Sequence, residues 1–289
     1  MSACKGGKCK KMLVAIDGSE SSLHALKESF KLAANEKSWI TVTSVVPPYE
    51  GDLDLVGIGN IQHALRHPCE KALADAMALA KAERVLIKTV CEEGEPHERI
   101  IDLAEAENCD LIVMGRRGLH RVGRALIGSV AARVIGYSQK DVLIVPHTAT
   151  IDWKTILVAT DLSRYSDVAI ERAIDFADSY GGALKIVSVV DVPSEFYGEA
   201  PNVVDDLVKK AKAHVEEAKV KAEAAGIKAE AFVREGDAPQ MILDMAEDLG
   251  ANTIVMGSHG RTGLKRLLMG SVTEKVIGSA RCPVLVVRS

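Results

Sequence analysis

An internal duplication limits what this chain can fold into more than any other feature. An offset of 142 residues carries Gly115-Arg116-Arg117-Gly118 onto Gly257-Ser258-His259-Gly260 and Gly128-Ser129-Val130 onto Gly270-Ser271-Val272, with nine residues between the second and third glycine of each copy. The same offset carries Glu93-Gly94 onto Glu235-Gly236, Asp102 onto Asp244 and Val134-Ile135-Gly136 onto Val276-Ile277-Gly278 without a gap. Upstream the register shifts by two, matching Leu13-Val14-Ala15-Ile16-Asp17 to Leu157-Val158-Ala159-Thr160-Asp161. A repeat of about 140 residues is a whole domain, near the commonest domain size, and not a solenoid unit. The expected layout is a flexible basic tail over residues 1–10, one domain over 11–148 and a second over 149–289, joined by a short polar connection at 146–154.

Each copy alternates strand and helix patterns. In the first copy, strands are predicted at 12–16, 39–46, 84–91, 111–114 and 142–145, and helices at 19–34, 61–82, 98–107 and 129–137. Ser19 or Ser21 suits the N-cap of the first helix, and Pro47-Pro48 stops the second strand. The second copy repeats the order, with strands at 155–160, 184–190, 228–233, 253–256 and 284–287, and helices at 166–180, 203–225, 238–249 and 272–279. Such alternation demands a parallel sheet with right-handed crossovers and helices on both faces. Ligands in these sheets bind at the carboxyl ends of the strands. Asp17 and Gly115 both follow strand ends and can meet there, as can Asp161 and Gly257.

The glycine stretches lie between an apolar strand and a helix start. There, backbone N–H groups converge and the helix dipole favours an anion, so each copy reads as a phosphate cradle. Gly115, Gly118, Gly257 and Gly260 permit a positive φ and close approach of backbone to a ligand. Ser129 and Ser271 can offer a hydroxyl to phosphate, and each also suits an N-cap. Asp17 and Asp161 would repel a polyphosphate but can accept hydrogen bonds from ribose hydroxyls or an exocyclic amine, which puts them at the nucleoside end.

Composition narrows the class further. Hydrophobic residues make up 47% of the chain and aromatic residues only 4%, enough to fill two cores with aliphatic side chains. No apolar run of about 18 residues exists, so no membrane span is expected. The basic start lacks an apolar segment behind it and does not read as a secretory signal, and the expected location is cytoplasmic. A net charge of −4 gives no electrostatic reason to expect nucleic acid. The six cysteines Cys4, Cys9, Cys69, Cys91, Cys109 and Cys282 do not correspond between copies, so reduced thiols are expected rather than a disulfide framework.

Leu-Val-Ala-(Ile/Thr)-Asp at the first strand, Val-Met-Gly-x-x-Gly at the fourth and Gly-Ser-Val nine residues on make both copies resemble the universal stress protein family. The resemblance covers nearly the whole chain. It implies an α/β fold with two tandem open five-stranded parallel sheets in the order 3-2-1-4-5, Rossmann-like and similar to the adenine nucleotide alpha hydrolases. It also implies the ATP-binding subgroup, with ATP, ADP or AMP, with or without Mg²⁺, as the ligand. Carried over by position, the implied nucleotide-binding residues are Asp17, Val45, Met114, Gly115, Gly118, Gly128, Ser129 and Val130 in the first copy. In the second they are Asp161, Val189, Met256, Gly257, Gly260, Gly270, Ser271 and Val272. Ser258-His259-Gly260-Arg261-Thr262-Gly263 is closer to the family loop than Arg116-Arg117-Gly118-Leu119-His120, where Arg116 either clamps a phosphate or crowds the pocket. The last strands of the family pair across a two-fold axis, which implies a homodimer or an intramolecular pseudo-dimer.

Other conspicuous residues read more simply. His63, His67 and Cys69 have spacing that metal ligands can use, but the second copy has no counterpart, and solvated or subunit-contact side chains are the better account. Cys4 and Cys9 lie among lysines that lower thiol pKa, within the basic tail. The charged run 209–219, which includes His214, reads as a solvated helix face with i, i+4 pairs. No catalytic triad order, Walker motif or acidic metal pair is present, so the expected class is a stress-response regulatory binder signalling through nucleotide-dependent conformation, at most a slow ATPase. The alternatives are an adenylate-handling enzyme on the same sheet, whose signatures are missing after the first strand, and a ligand-free scaffold.

Overall fold

The computed structural model describes residues 9–48, 58–118, 127–193, 195–260 and 269–288, and the side chains of 58–63 are set aside. The chain divides at Ala149/Thr150 into two compact units. Residues 1–8 of the expected basic tail, with Cys4, lie outside the described residues. Cys9 is already buried, and the Lys10 amide donates to Asp110 Oδ2 at 2.8 Å.

The first unit runs β1 (Lys11–Ala15), α1 (Glu20–Glu36), β2 (Trp39–Val46), α2 (Ile58–Ala82), β3 (Ile87–Glu93), α3 (Pro96–Ala106), β4 (Leu111–Gly115), α4 (Ser129–Tyr137) and β5 (Asp141–Val145). Its strands are parallel in the order β3-β2-β1-β4-β5. The second unit runs β6 (Thr155–Thr160), α5 (Arg164–Tyr180), β7 (Ala183–Val190), α6 (Glu195–Glu199), α7 (Pro201–Ala224), β8 (Ala229–Glu235), α8 (Ala238–Asp248), β9 (Thr253–Gly257), α9 (Ser271–Ser279) and β10 (Val284–Val287). Its order is β8-β7-β6-β9-β10, again parallel. Both match the expected 3-2-1-4-5 arrangement. In the first unit α1 packs with α2 and α3 packs with α4, covering the two faces of the sheet.

Local chemistry accounts for these elements. Ser19 and Ser163 cap α1 and α5, each side chain accepting from the amide three residues on. The central strands are aliphatic and carry no exposed surface at Leu13, Val14, Ile112, Val113, Leu157, Val158, Ile254 and Val255. That is what a parallel sheet covered on both faces requires. In the second unit Trp153 stacks on Phe176 with ring centroids 4.1 Å apart, closing the core beneath α5.

Two boundaries differ from expectation for identifiable reasons. β3 begins at Ile87, not at 84, because Arg84 adopts φ +57 to end α2 and spends the next residues leaving the helix. Gly226 does the same after α7 with φ +80. The helix expected over 203–225 is preceded by the short α6, and Pro201 takes the first turn of α7, where its missing N–H costs nothing.

The expectation of reduced thiols is overturned at one pair. Packing of α2 over β2 and β3 brings Cys69 and Cys91 to a Cα–Cα distance of 6.3 Å, and they form a disulfide. The absence of duplication was no guide, because the bridge is internal to one unit; Ala211 and Val233 occupy the equivalent positions. Cys69 is thereby engaged away from the exposed His67, and no cluster of three or more metal-ligating side chains occurs among the described residues. No helix among the described residues is long and apolar enough to cross a membrane.

Burial pushes the Cys109 and Cys282 thiols up to about 11. Iodoacetamide at pH 8 is therefore expected to label neither in the folded chain and both after denaturation, while a non-reducing digest yields the Cys69–Cys91 linked peptide. Mass spectrometry of the digests reads both. A second expectation concerns Gly182, where an added Cβ would stand 2.1 Å from the Trp153 carbonyl oxygen. Gly182→Ala should cost about 2 kcal/mol, lowering the unfolding midpoint by roughly 6 °C. Gly198→Ala, with nothing within 4 Å, should leave it unchanged or raised in a calorimetric scan.

Candidate functional site

The carboxyl ends of β7, β6 and β9 open into a cavity of about 290 Å³ in the second unit. All eight expected residues of that copy, Asp161, Val189, Met256, Gly257, Gly260, Gly270, Ser271 and Val272, line it. They come from four separate stretches of chain, and the strand order assembles them. β6 lies between β7 and β9, so Val189 and Asp191 stand on one side of Asp161, and Gly257 and α9 on the other. With strands about 4.8 Å apart, the cleft spans about 10 Å from β7 to β9. Ala159, Val187, Ile242 and Met256 give it an apolar lining.

The glycines are explained differently from the sequence expectation. None of Gly115, Gly118, Gly257 or Gly260 is among the positive-φ residues; the requirement is space. A Cβ on Gly257 would stand 2.9 Å from the Tyr165 carbonyl carbon and oxygen, and one on Gly115 would stand 2.6 Å from Ser21 Oγ. The first turn of α5 or α1 thus presses directly on the strand end. The second glycine yields to the aspartate, since Cβ atoms on Gly118 and Gly260 would collide with Asp17 Oδ2 and Asp161 Oδ2 at 2.2 and 2.6 Å. Gly260 therefore belongs with the carboxylate, and the anion-favouring part of the loop narrows to its far end at α9.

That far end is a helix start without a side-chain cap. Gly270 is the N-cap of α9 and Gly128 of α4, which places Ser271 and Ser129 at the first helical position. The capping role considered for these serines is not the one they have. The first amides of α9, from Ser271 onward, have no intrahelical acceptor and carry the positive end of the dipole. A short neck holds this start in place: Gly270 N donates to Ser258 O at 2.9 Å, Ser258 N to Val287 O at 3.2 Å, and Thr273 Oγ1 to Gly257 O at 3.0 Å. At the opposite side, Asp161 Oδ1 accepts from Ser163 N at 3.1 Å, and Asp191 Oδ2 from Ala238 N at 3.2 Å. The cavity is polarised, with carboxylates at the β6 and β7 ends and amide donors at α9.

In the first unit the structure sets Asp17 after β1, with Ser19 N on its Oδ1 at 3.0 Å, Val45 in β2, and Met114 and Gly115 at the end of β4. Gly128 reaches back to Arg116 O at 2.9 Å and brings Ser129 and Val130 to the first turn of α4, close to Gly118. Arg116, at the position of the buried Ser258, is half-buried; burial and then the neighbouring Arg117 lower its pKa. Of the nine residues between the second and third glycine of each loop, 119–126 and 261–268 lie outside the described residues, while Ile127 and Met269 are buried.

Sequence reasoning missed part of the second cavity. Thr160 and Ser166 line it, and Thr160 Oγ1 lies 2.9 Å from Ser166 Oγ and 3.0 Å from His214 Nε2. His214 Nε2 also lies 3.4 Å from Asp167 Oδ1. His214 is only about a fifth exposed, so it is not part of the solvated face to which the charge pattern assigned it. The signal was available in the duplication: Thr160, His214 and Asp167 replace Ile16, Ala72 and Leu23, three polar side chains for three apolar ones. His259 also lines the cavity, with Nδ1 at 3.1 Å from Ser258 Oγ and its ring beside Tyr165.

The glycine geometry separates two substitutions. Gly257→Ala is expected to destabilise the second unit by about 2 kcal/mol, because backbone and not a flexible tip must move. Gly270→Ala meets its nearest atoms at 3.6 Å and should cost under about 1 kcal/mol. Urea titrations of the two variants check the ordering.

The model of the Universal stress protein family matches residues 8–146 and again 152–288. A universal stress protein of Mycolicibacterium smegmatis is 26% identical over 293 residues, covering 96% of both chains. The crystal structure of a universal stress protein from Archaeoglobus fulgidus superimposes with a TM-score of 0.75 at 24% identity, over 98% of this chain and 97% of that one. A universal stress protein solved in complex with cAMP is 29% identical across 47% of this chain and 97% of its own, with a TM-score of 0.39. With both halves matched by the family and both sheets in its strand order, this chain is a tandem member of the universal stress protein family.

Proposed function

We propose that the chain binds an adenine nucleotide in the cavity of its second unit and acts as a regulatory binding protein. The observation that carries this reading is the convergence of Asp161, Val189, Met256, Gly257, Gly260, Gly270, Ser271 and Val272 on one polarised cleft of about 290 Å³, at the lower end of the range for small-molecule sites. The nucleoside lies towards Val189 and Asp161, where carboxylate oxygens accept from ribose hydroxyls or an amine. The phosphates lie at the start of α9, where amides and dipole favour charge. ATP, ADP and AMP share this orientation, and Mg²⁺ accompanies the longer phosphate chains. The carboxylates that line the cavity, Asp161 and Asp191, stand at the nucleoside end and away from the phosphates, so turnover is slow and binding is the output. Ligand at α9 biases the surface around the start of that helix, which another subunit or partner reads. The first unit has the same residue types around Asp17 and Gly115, with Arg116 as a further cationic contact for phosphate.

Small molecules released by denaturing the purified protein are expected to include an adenine nucleotide, at one per chain if only the second cavity fills and two if both do. Asp161→Ala should weaken titrated ATP about tenfold, the cost of a charge-assisted hydrogen bond, with little change in folding. The absence of released nucleotide, together with no calorimetric response to millimolar ATP, overturns the proposal.

A further inference from the structure

The second unit contains a turn that its own sequence disfavours. Between β6 and α5 the chain reads Asp161-Leu162-Ser163, and Leu162 adopts φ +66. The first unit reads Asp17-Gly18-Ser19, and Gly18 takes φ +80 at no steric cost. A left-handed conformation is unfavourable for a branched residue such as leucine, so something must hold Leu162 there. The turn sets the direction of the Asp161 carboxylate, which accepts from the Ser163 amide across it.

Hydrogen-bond counting identifies the holder. Ser166 Oγ donates its single proton to the Ser163 carbonyl at 2.8 Å. Between Ser166 and Thr160 the hydroxyl of Thr160 must therefore be the donor. With its own proton spent, Thr160 Oγ1 can only accept from its other two neighbours, the Leu162 amide at 3.2 Å and His214 Nε2 at 3.0 Å. His214 thus carries a proton on Nε2, and Asp167 Oδ1, 3.4 Å from the same nitrogen, shares it. The chain of donors runs His214 to Thr160 to Ser166 to Ser163 O, with the Leu162 amide fastened to its middle member. In the first unit only the last of these bonds recurs, as Ser22 Oγ to Ser19 O at 2.9 Å: Ile16, Ala72 and Leu23 stand at the positions of Thr160, His214 and Asp167, and Ala72 Cβ lies 3.6 Å from where a Cβ on Gly18 would be. Glycine goes with an apolar setting, and leucine with a polar chain.

We propose that His214 is a positioning residue of the second cavity: its Nε2 proton orients the Thr160 hydroxyl, which pins the left-handed turn at Leu162 and so fixes Asp161 for the nucleoside. The ligand part of this inference rests on the nucleotide reading above; the positioning part does not. Residue 214 touches no ligand in this scheme and acts only through Thr160.

The test uses the full chain and four variants: His214→Ala, His214→Gln, Leu162→Gly and the double variant Leu162→Gly/His214→Ala. Folding is not the obstacle, because the first unit carries glycine and alanine at these positions. Without ligand, nitrogen-15 spectra of the imidazole should show the neutral ring protonated at Nε2. The Leu162 amide should lose protection from hydrogen exchange about tenfold in His214→Ala and regain it in His214→Gln, which keeps an N–H donor near the same place. A neutral ring protonated at Nδ1, or Leu162 protection indifferent to both substitutions, overturns the proposal. With ATP, His214→Ala should weaken second-site affinity about tenfold, His214→Gln by less than about threefold, and the double variant no more than Leu162→Gly alone. Equal losses in the leucine and glycine backgrounds also overturn it. If the wild-type chain takes up no nucleotide, the functional reading falls, and the ring spectra and Leu162 exchange still decide whether His214 positions the turn.

Discussion

The arrangement of both units depends on one close approach: the last residue of the fourth strand against the first turn of the first helix. At Gly257 the Tyr165 backbone is near enough that no side chain fits between, and at Gly115 Ser21 plays the same part. This contact sets how far the helix start can advance over the sheet. The aspartate ahead of that helix, Asp161 or Asp17, is carried by the same advance until its carboxylate rests on the second glycine of the loop. Two glycines three residues apart are thus consumed by internal packing. Both still line the cavity of the second unit, while the helix-start amides that favour an anion begin behind the third glycine.

Much of this was legible in the residues. Aliphatic runs such as Leu111–Met114 can be little else than strands buried on both faces, and the alternation with helices leaves few topologies. Duplication made the reading firmer, since any element proposed in one copy had to recur in the other. The eight cavity residues of the second copy were legible for the same reason, lying at strand ends and one helix start that the topology must bring together.

What was not legible depends on distances that no spacing encodes. The motif glycines suggested left-handed backbone, yet the left-handed positions are elsewhere, at Gly18, Leu162, Arg84 and Gly226 among others. Only the atoms facing Gly257 and Gly260 show that the constraint is steric. Ser271 looked like a cap because serine before a helix often is one; the helix starts one residue earlier than the pattern implied, so Gly270 takes the cap. The Cys69–Cys91 bridge required knowing which turn of α2 lies over β3, a tertiary fact. His214 was hidden by its neighbours, because lysines and glutamates on either side gave the helix a solvated appearance at a position that turns inward with Ala211, Val215 and Ala218.

The neck of the glycine loop has a consequence for variation within the family. Residues 258 and 270 are joined to each other, residue 258 to β10, and residue 273 to the end of β9, all by bonds lying outside the stretch they enclose. Substitutions at positions 261–268 leave all of these bonds in place, whereas Gly260, which yields to the Asp161 carboxylate, is fixed together with the frame that aims the start of α9.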